Sequence, residues 1–127
     1  MIFNLQPMKP EINKTSFGSI TVNKEIYEYD IIITFNGEVK KRKKKLSKVV
    51  YGTSHTISKD EAKYIYEDGA EVLIIGSGQY GATELSEEAA NYFKKKNCRI
   101  ILLPTPQAIK EWNRTVGKMI GLFHVTC

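Results

Sequence analysis

The chain has 127 residues, a formal net charge of +5 at pH 7 and 42% hydrophobic residues. This length suits one ordinary domain, and with 26% charged residues the composition is that of a soluble globular protein, which excludes extended disorder. The longest apolar runs, residues 31–35 and 72–75, fall far short of the ~20 residues of a membrane-spanning helix. Because Asn4, Gln6 and Pro7 interrupt the apolar start of the chain, no signal peptide is indicated, and we expect a single cytoplasmic domain.

The first half of the chain is typical of antiparallel β structure. Alternating residues predict a short strand over residues 15–22, with a bend at its start, and a strand rich in Ile and Tyr over residues 26–35. Asn36-Gly37 then predicts a type I′ hairpin turn, since both residues tolerate the positive φ that this turn requires. The returning strand begins at residues 38–39 and continues into a run of lysines.

The second half begins with a capped helix and a buried strand. Ser58 and Glu61 fit a capping box, in which the serine hydroxyl accepts the third amide and the glutamate reaches back. The helix that they open is expected to end at Gly69, because glycine suits a left-handed C-cap. Residues 71–75 are almost continuously apolar, as in a strand whose two faces are both covered.

Two more helices and two more strands follow in alternation. Ser86 caps a helix with acids in its first turn and lysines in its last, and residues 99–103 form a second buried strand. Thr105 is expected to cap a third helix with Val116 on its inward face, and residues 119–127 form the last strand. This strand–helix–strand–helix–strand order, behind the amino-terminal hairpins, predicts one α+β/α domain without an internal linker.

One loop matches the letters of a phosphate-binding motif, GxGxxG. It reads Gly76-Ser77-Gly78-Gln79-Tyr80-Gly81 and follows a predicted strand, at the end where α/β sheets usually bind ligands. In a dinucleotide site the helix opens at the third glycine and an acid ends the next strand, whereas here four residues precede the Ser86 cap and residues 102–104 are Leu-Leu-Pro. A structural turn is therefore expected first, an anion or small-ligand pocket is the alternative, and no cofactor is expected.

The two histidines carry weaker signals. His55 lies in a polar loop and is the candidate partner of the glycine loop, but acid–base catalysis would need a carboxylate or hydroxyl that only the fold can bring to it. A loop-stabilising role is expected instead. His124 falls in the last predicted strand and is interpreted as a satisfied core or edge histidine. With only two cysteines, and those without CxxC spacing, no metal site is predicted.

The most distinctive electrostatic feature is a basic run without a single acid. It contains seven basic residues, and outside it 12 basic residues stand against 14 acidic ones. The seven are Lys40, Lys41, Arg42, Lys43, Lys44, Lys45 and Lys48. One hypothesis is that residues 40–45 contact nucleic-acid phosphate or another polyanion. Since no aromatic residue lies within the run, we expect instead an edge strand that its lysines protect from aggregation, and nucleic acid is not the expected partner.

Two cysteines, Cys98 and Cys127, are too few for a secreted disulfide scaffold. If the last strand ran antiparallel beside the strand at residues 99–103, the two thiols would approach each other and a disulfide would be possible. In a reducing cytoplasm, inert thiols are the expected state.

Several stretches together resemble one known family. They are Ser16-Phe17-Gly18-Ser19-Ile20, Gly52-Thr53-Ser54-His55, residues 72–79, residues 103–108, Glu111-Trp112-Asn113 and residues 123–127. In this order, they resemble the adipogenesis-associated Mth domain family, with residues 1–127 as a single Mth-type domain. The resemblance implies a three-layer β/β/α fold with a mixed central sheet and a smaller antiparallel layer. It also supports the antiparallel placement that would bring the two cysteines together.

The resemblance transfers no reaction, catalytic residue or cofactor. A distant relative, a mitochondrial complex I assembly factor, favours a binding role by analogy. The expected function is a small protein–protein interaction or assembly module without catalysis, which binds an unidentified protein and is itself a monomer or weak homodimer. The alternative is a small-ligand or anion-binding domain, or an enzyme, that uses residues 76–81 with His55.

Overall fold

Residues 9–127, the part of the chain that the computed structural model describes, form ten strands and four helices. The strands are β1 (Ile12–Ser16), β2 (Ser19–Val22), β3 (Glu25–Tyr27), β4 (Ile31–Ile33), β5 (Val39–Lys41), β6 (Thr56–Ile57), β7 (Val72–Ser77), β8 (Glu84–Leu85), β9 (Arg99–Leu103) and β10 (Met119–His124). The helices are α1 (Lys45–Tyr51), α2 (Lys59–Ile65), α3 (Glu87–Lys95) and α4 (Thr105–Arg114).

The central sheet is mixed and has the strand order β5–β4–β10–β7–β9. Strands β10, β7 and β9 run parallel to one another, while β4 is antiparallel to β10 and to β5. Gly121 of β10 lies opposite Ile33 on one side and Ile74 on the other. The last strand of the chain therefore lies in the middle of the sheet, which is why all six of its residues are buried.

Each face of the central sheet has its own hydrophobic core. Because side chains alternate along a strand, β7 directs Leu73 to one face and Ile74 to the other. Leu73 packs with Phe93 of α3 in the core that also contains α2, and Ile74 packs with Trp112 of α4. The second core also includes residues of the antiparallel sheet β1–β2–β3. The predicted three-layer β/β/α fold and its carboxyl-terminal alternation of strands and helices are confirmed.

The predicted caps of α2 and α3 are present, but the capping box is only half formed. Ser58 Oγ accepts the Glu61 amide at 3.1 Å, and Ser86 Oγ accepts the Ala89 amide at 3.0 Å. The Glu61 carboxylate does not reach back to the Ser58 amide, which donates instead to Ser47 Oγ at 2.9 Å. Glu61 is engaged elsewhere in a buried cluster that the sequence pattern does not show.

Two predicted helix boundaries and one predicted cap are wrong. Helix α2 ends at Ile65, four residues before Gly69. Helix α4 ends at Arg114, since the main chain of Thr115 is extended (φ −79°, ψ 138°), and Val116 beyond it is 92% exposed rather than inward. The Thr105 hydroxyl does not cap α4 but donates to the His124 carbonyl at 2.6 Å.

The hairpin around Asn36-Gly37 is present, but its turn is not type I′. Of the two residues only Gly37 has positive φ, at 86°. The Gly37 amide donates to the Thr34 carbonyl at 2.9 Å, so the tight turn centres on residues 35–36 with the glycine after it. No helix formed by residues 9–127 is long and apolar enough to cross a membrane.

Candidate functional site

A buried polar cluster lies at the carboxyl end of β10. Ligands of α/β sheets usually bind at the carboxyl ends of the parallel strands. The cluster contains Asp30, which precedes β4, His124, which ends β10, and Arg42, which follows β5. Asp30 Oδ2 accepts hydrogen bonds from Arg42 Nη1 at 2.9 Å and from His124 Nδ1 at 2.7 Å. Its other oxygen, Oδ1, accepts the Val125 amide at 2.9 Å. One carboxylate therefore joins the ends of three strands.

Glu61 of α2 supplies the second buried carboxylate. Arg42 Nε and Nη2 donate to its two oxygens at 2.7 and 3.0 Å, which makes a bidentate ion pair. The Ser47 hydroxyl of α1 also donates to Glu61, and Arg42 Nη2 donates to the Ser54 carbonyl at 2.8 Å. The guanidinium thus ties the β4–β5 hairpin to the helical layer.

The charges of the cluster stabilise one another. Burial alone would raise the pKa of Asp30, but hydrogen bonds from His124 and Val125, together with the positive charge of Arg42, hold this pKa at about 2. Burial alone would lower the pKa of Arg42, and this effect is outweighed by Glu61 and Asp30, which raise it. Each buried charge therefore has an opposite charge and hydrogen bonds, without which its burial would cost several kcal/mol.

A hydroxyl, an imidazole and a carboxylate line up within this cluster. Thr126 Oγ1 lies 3.1 Å from His124 Nε2, and His124 Nδ1 lies 2.7 Å from Asp30. This order of groups activates nucleophilic hydroxyls in hydrolases. Here the Asp30 oxygen that orients the imidazole is shared with Arg42, and the hydroxyl is only two residues from the histidine. We therefore interpret the line as an anchor for the end of β10.

His55 lies beside this cluster. Its ring centroid is 5.4 Å from that of His124, with an angle of 75° between the rings. Its main chain accepts the Glu84 amide at 2.8 Å and donates to Thr53 Oγ1 at 3.1 Å, which anchors the loop between α1 and β6. The structure therefore brings His55 to the second histidine, a juxtaposition that the sequence did not reveal. Within residues 9–127, no three His, Cys, Asp or Glu side chains converge as metal ligands.

The amides of the glycine loop, residues 76–81, face oxygens of the chain itself. Four loop or adjoining amides donate hydrogen bonds of 2.6–3.2 Å. Their acceptors are Thr105 Oγ1 for Gly78, the Thr126 carbonyl for Gln79, and a Cys127 main-chain oxygen for both Tyr80 and Ala82. A phosphate bound by these amides would have to displace those oxygens.

The glycines of this loop are explained by internal packing. Gly78 has a φ of +105°, and a Cβ there would lie 2.8 Å from His124 Cδ2 and would overlap the main-chain carbon of Cys127. A Cβ on Gly76 would lie 2.8 Å from Thr105 Oγ1 and 2.9 Å from a ring carbon of Phe123. Both positions therefore require glycine because the chain approaches itself closely, as in a structural turn.

The predicted polyanion patch needs one correction. Arg42 is buried, with its guanidinium between two carboxylates, so it is not part of a basic surface. The other five members, Lys40, Lys41, Lys43, Lys44 and Lys45, are exposed. The run is also not a single edge strand, because β5 ends at Lys41 and α1 begins at Lys45.

Aromatic side chains border these lysines, although none lies within the run. Lys41 Nζ is 5.2 Å from the ring centroid of Tyr29, and Lys43 Nζ is 4.8 Å from that of Tyr64. Both distances are within the range of cation–π attraction. The fold therefore adds aromatic contacts to the run that its own sequence does not show.

The two cysteines are far apart in the topology. Cys98 precedes β9 at the amino end of the parallel strands, and Cys127 follows β10 at their carboxyl end. Strand β10 is parallel to β7 and is separated from β9 by it, so the expected antiparallel neighbourhood is wrong. Both thiols are free, Cys98 buried and Cys127 exposed.

The outer edge of the central sheet at β9 is apolar, and no strand of residues 9–127 pairs with it. The Arg99 amide donates inward, to the residue before β7, at 2.8 Å. Because main-chain groups alternate along a strand, those of Ile100 and Leu102 point outward. They have no hydrogen-bond partner within residues 9–127, and the Leu102 side chain is 40% exposed. Of the five residues of β9, only Arg99 is charged.

Sequence reasoning missed the buried cluster, although one signal for it was present. Arg42 is the only arginine among six lysines in the basic run. Arginine differs from lysine in that its planar fork pairs with carboxylates in a bidentate manner, which suits buried ion pairs. A single arginine at a fixed place in a lysine run is therefore a reason to search for buried acids, here Asp30 and Glu61.

A family model and solved structures of similar proteins agree with the observed fold. Residues 12–119 match a family model described as a protein of unknown function, DUF498/DUF598. A conserved hypothetical protein from Pyrococcus horikoshii is 32% identical, with a TM-score of 0.85 over 92% of this chain and 99% of that chain. The protein named MT938 is 34% identical, with a TM-score of 0.78 over 94% and 100% of the two chains.

The fold is shared more widely. A Mth938-like domain from Bordetella pertussis is 14% identical, with a TM-score of 0.59 over 98% of this chain and 92% of that domain, and this likeness concerns the fold alone. The resemblance found in the sequence is thus confirmed. The chain belongs to the DUF498/DUF598 family of Mth938-like domains, a family of unknown function.

Proposed function

We propose that the protein is an interaction or assembly module that binds an extended segment of a partner protein along β9. The observation that carries this proposal is the unpaired outer edge of β9. The main-chain groups of Ile100 and Leu102 point away from β7 and have no partner within residues 9–127. An edge of this kind is a template for strand addition, in which main-chain hydrogen bonds supply affinity.

The side chains of β9 indicate the chemistry of the partner. Ile100 packs against the core on the α3 side of the sheet, and by alternation Leu102 lies on the same side but is 40% exposed. An added strand with apolar side chains on that side would cover Leu102. The partner segment is therefore extended and short, with apolar residues at alternate positions.

The two edges of the sheet are unequal, which supports the same conclusion. At β5, Lys40 and Lys41 point to opposite faces and their charges oppose strand pairing on both. At β9 the four residues after Arg99 are Ile or Leu. An apolar, unguarded edge favours aggregation unless a partner covers it. A binding role also agrees with the buried cluster, whose polar groups are engaged with one another.

A photocrosslinking amino acid in place of Leu102 tests the proposal in cells that contain the protein naturally. We expect a specific adduct with another protein, identified by mass spectrometry. The same amino acid in place of Val116, which is exposed at the opposite end of the parallel strands, is the matched control and should not give that adduct. An adduct within the chain itself, or the same products at both positions, would overturn the proposal.

The purified adduct partner then allows a test of strand addition itself. Leu102→Ala removes the side chain only, whereas Leu102→Pro also removes the outward amide. Proline is tolerated where an edge strand points its amide away from the sheet, so pairing with β7 should persist in both variants. We expect a modest loss of affinity for Leu102→Ala and a much larger one for Leu102→Pro. Equal affinities of the two variants would contradict strand addition.

A further inference from the structure

The opposite edge of the central sheet carries a second surface, which we propose binds single-stranded nucleic acid. We call it the basic edge. It consists of Lys40, Lys41, Lys43, Lys44 and Lys45 with the neighbouring rings of Tyr29 and Tyr64. This surface is separate from β9, since the two lie at opposite ends of the five-stranded sheet.

Protection of an edge strand from aggregation explains only part of the positive charge of the basic edge. Lys40 and Lys41 lie in β5, where they do guard an edge. Residues 43–45 lie beyond the strand, at the start of α1, which has no acid in its first turn. Positive charges there oppose the helix dipole.

The chain follows the dipole rule at its other helices on the same side of the sheet. Asp60 and Glu61 occupy the first turn of α2, and Glu87 and Glu88 that of α3. Helix α4 also lacks an acid in its first turn but has no lysine there, so the opposition of lysines to the helix dipole is local to α1. Such a local conflict is expected where a surface serves a function other than stability.

The aromatic neighbours give the basic edge a second kind of contact. Tyr29 and Tyr64 are 40% and 39% exposed, and the ammonium groups of Lys41 and Lys43 lie 5.2 and 4.8 Å from their ring centroids. Exposed rings among lysines are the pattern of single-strand binding sites, in which phosphates contact the ammonium groups and bases stack on the rings.

A cavity of about 180 Å³ lies between β4 and α2, beside one lysine of the basic edge. Tyr64 and Lys40 line it together with Ile33, Thr34 and Glu67. Glu67 Oε2 accepts the Phe35 amide at 2.6 Å but keeps its negative charge, so the cavity suits an uncharged base rather than a phosphate. A base stacked on Tyr64 would lie at this cavity, and only a single strand offers such an unstacked base.

Acidic groups near the basic edge do not cancel its charge. Glu38 lies 3.8 Å from Lys40, and both side chains are exposed, so this pair is weak. The carboxylates Asp30 and Glu61 are buried and share Arg42 as their ion-pair partner, so they make no ion pair with the exposed lysines of the basic edge. The lysines at residues 41 and 43–45 therefore remain available to phosphates.

Fluorescence anisotropy with labelled oligonucleotides of about ten residues tests the proposal. The oligonucleotides compared are oligo(U), oligo(dT) and a duplex of equal length. We expect both single strands to bind at least about tenfold more tightly than the duplex, and the two single-strand arms decide between RNA and DNA. If about four phosphates are neutralised, affinity should fall about 50-fold between about 50 and about 200 mM salt.

Two sets of variants separate the basic edge from total charge. Lys43, Lys44 and Lys45 are changed together to Gln in one protein, and Lys94, Lys95 and Lys96 in the other. The second set is a matched control, because it removes the same charge and Lys96 also lies over two tyrosine rings, at 5.6 Å. We expect a loss of at least about tenfold for the first set and less than about threefold for the second.

Variants of one ring test the stacking contact. Tyr64→Ala should weaken single-strand binding about fivefold or more, while Tyr64→Phe, which keeps the ring, should not. Leu102→Pro at the other edge should leave oligonucleotide binding unchanged. A failure of the nucleic-acid proposal can therefore be distinguished from a failure of partner binding at β9. No binding, salt-insensitive binding, equal losses in both lysine variants, or lysine-dependent binding only to anionic phospholipid vesicles would overturn the proposal.

Discussion

Arg42 Nη1 lies 2.9 Å from Asp30 Oδ2, and the two side chains are 0% and 5% exposed. The same guanidinium binds Glu61, and the same carboxylate binds His124. This contact joins the end of β5 to the start of β4, and the bonds of Asp30 to His124 and Val125 extend it to the end of β10, the strand in the middle of the sheet. It explains why one member of a basic run faces inward while its neighbours face solvent.

Removal of the Asp30 carboxylate should destabilise the fold strongly. In Asp30→Ala, His124 and the Val125 amide lose their acceptor and the buried positive charge of Arg42 keeps only Glu61. We expect the free energy of unfolding to fall by about 3–5 kcal/mol, measured by urea denaturation. Glu38→Ala, which breaks the exposed pair with Lys40, is the control and should cost less than about 1 kcal/mol. Similar costs for the two variants would contradict the role of the cluster.

Stability should depend on acid pH through the same residue. The pKa of Asp30 is about 2 in the folded protein against 3.8 for the free side chain, so the unfolded state binds its proton first as the pH falls. About 2 kcal/mol of stability is therefore present above about pH 4 and is lost as the pH falls towards 2. Urea denaturation across this range should show a shallower pH dependence in Asp30→Asn. If the pH dependence of stability is unchanged in Asp30→Asn, carboxylates other than Asp30 cause the loss of stability at acid pH.

The glycine loop offers a matched pair of glycine-to-alanine variants. In Gly78→Ala the new Cβ meets His124 and Cys127 in a left-handed backbone, so we expect a loss above about 3 kcal/mol. Gly18 has a similar φ of +89°, but a Cβ there meets nothing within 4 Å, so Gly18→Ala should cost only about 1–2 kcal/mol. Thermal unfolding measures both. Equal losses would show that the close approach at Gly78 has no energetic effect.

The thiols should differ in reactivity. Burial raises the pKa of Cys98 to about 11, which leaves almost no thiolate at neutral pH, while Cys127 is exposed. Ellman's reagent should therefore titrate one thiol per native chain quickly and the second only after denaturation. Cys127→Ser should abolish the fast phase. Two protected thiols, released only by a reductant, would indicate the disulfide that the topology excludes.

Local sequence rules predicted much of this fold. Ser58 and Ser86 cap their helices as expected because a cap depends on residues three positions apart. The strand predicted at residues 99–103 coincides in its bounds with β9 because its apolar run is short and bounded, but the burial predicted for it is wrong, since β9 lies at the edge of the sheet. These features need no knowledge of distant parts of the chain.

Features that depend on distant contacts were missed. Helix α1 has no side-chain cap and contains Val49 and Val50, so its own sequence favours helix weakly, and Ser47 holds it through bonds to Glu61 and Ser58. The antiparallel placement of the last strand was wrong for the same reason. Both neighbours of β10, β4 and β7, come from distant parts of the chain, so its place in the sheet is not evident from its local sequence.

Hydrogen exchange of the β9 amides in the isolated protein, followed by NMR, tests most directly whether this edge is available to a partner. The Leu102 amide points outward and the Ile101 amide points to β7, although the two are adjacent in the chain. We expect fast exchange at Leu102 and slow exchange at Ile101 in dilute solution. Protection of Leu102 equal to that of Ile101, independent of protein concentration, would mean that the edge is already covered and would contradict the proposed function.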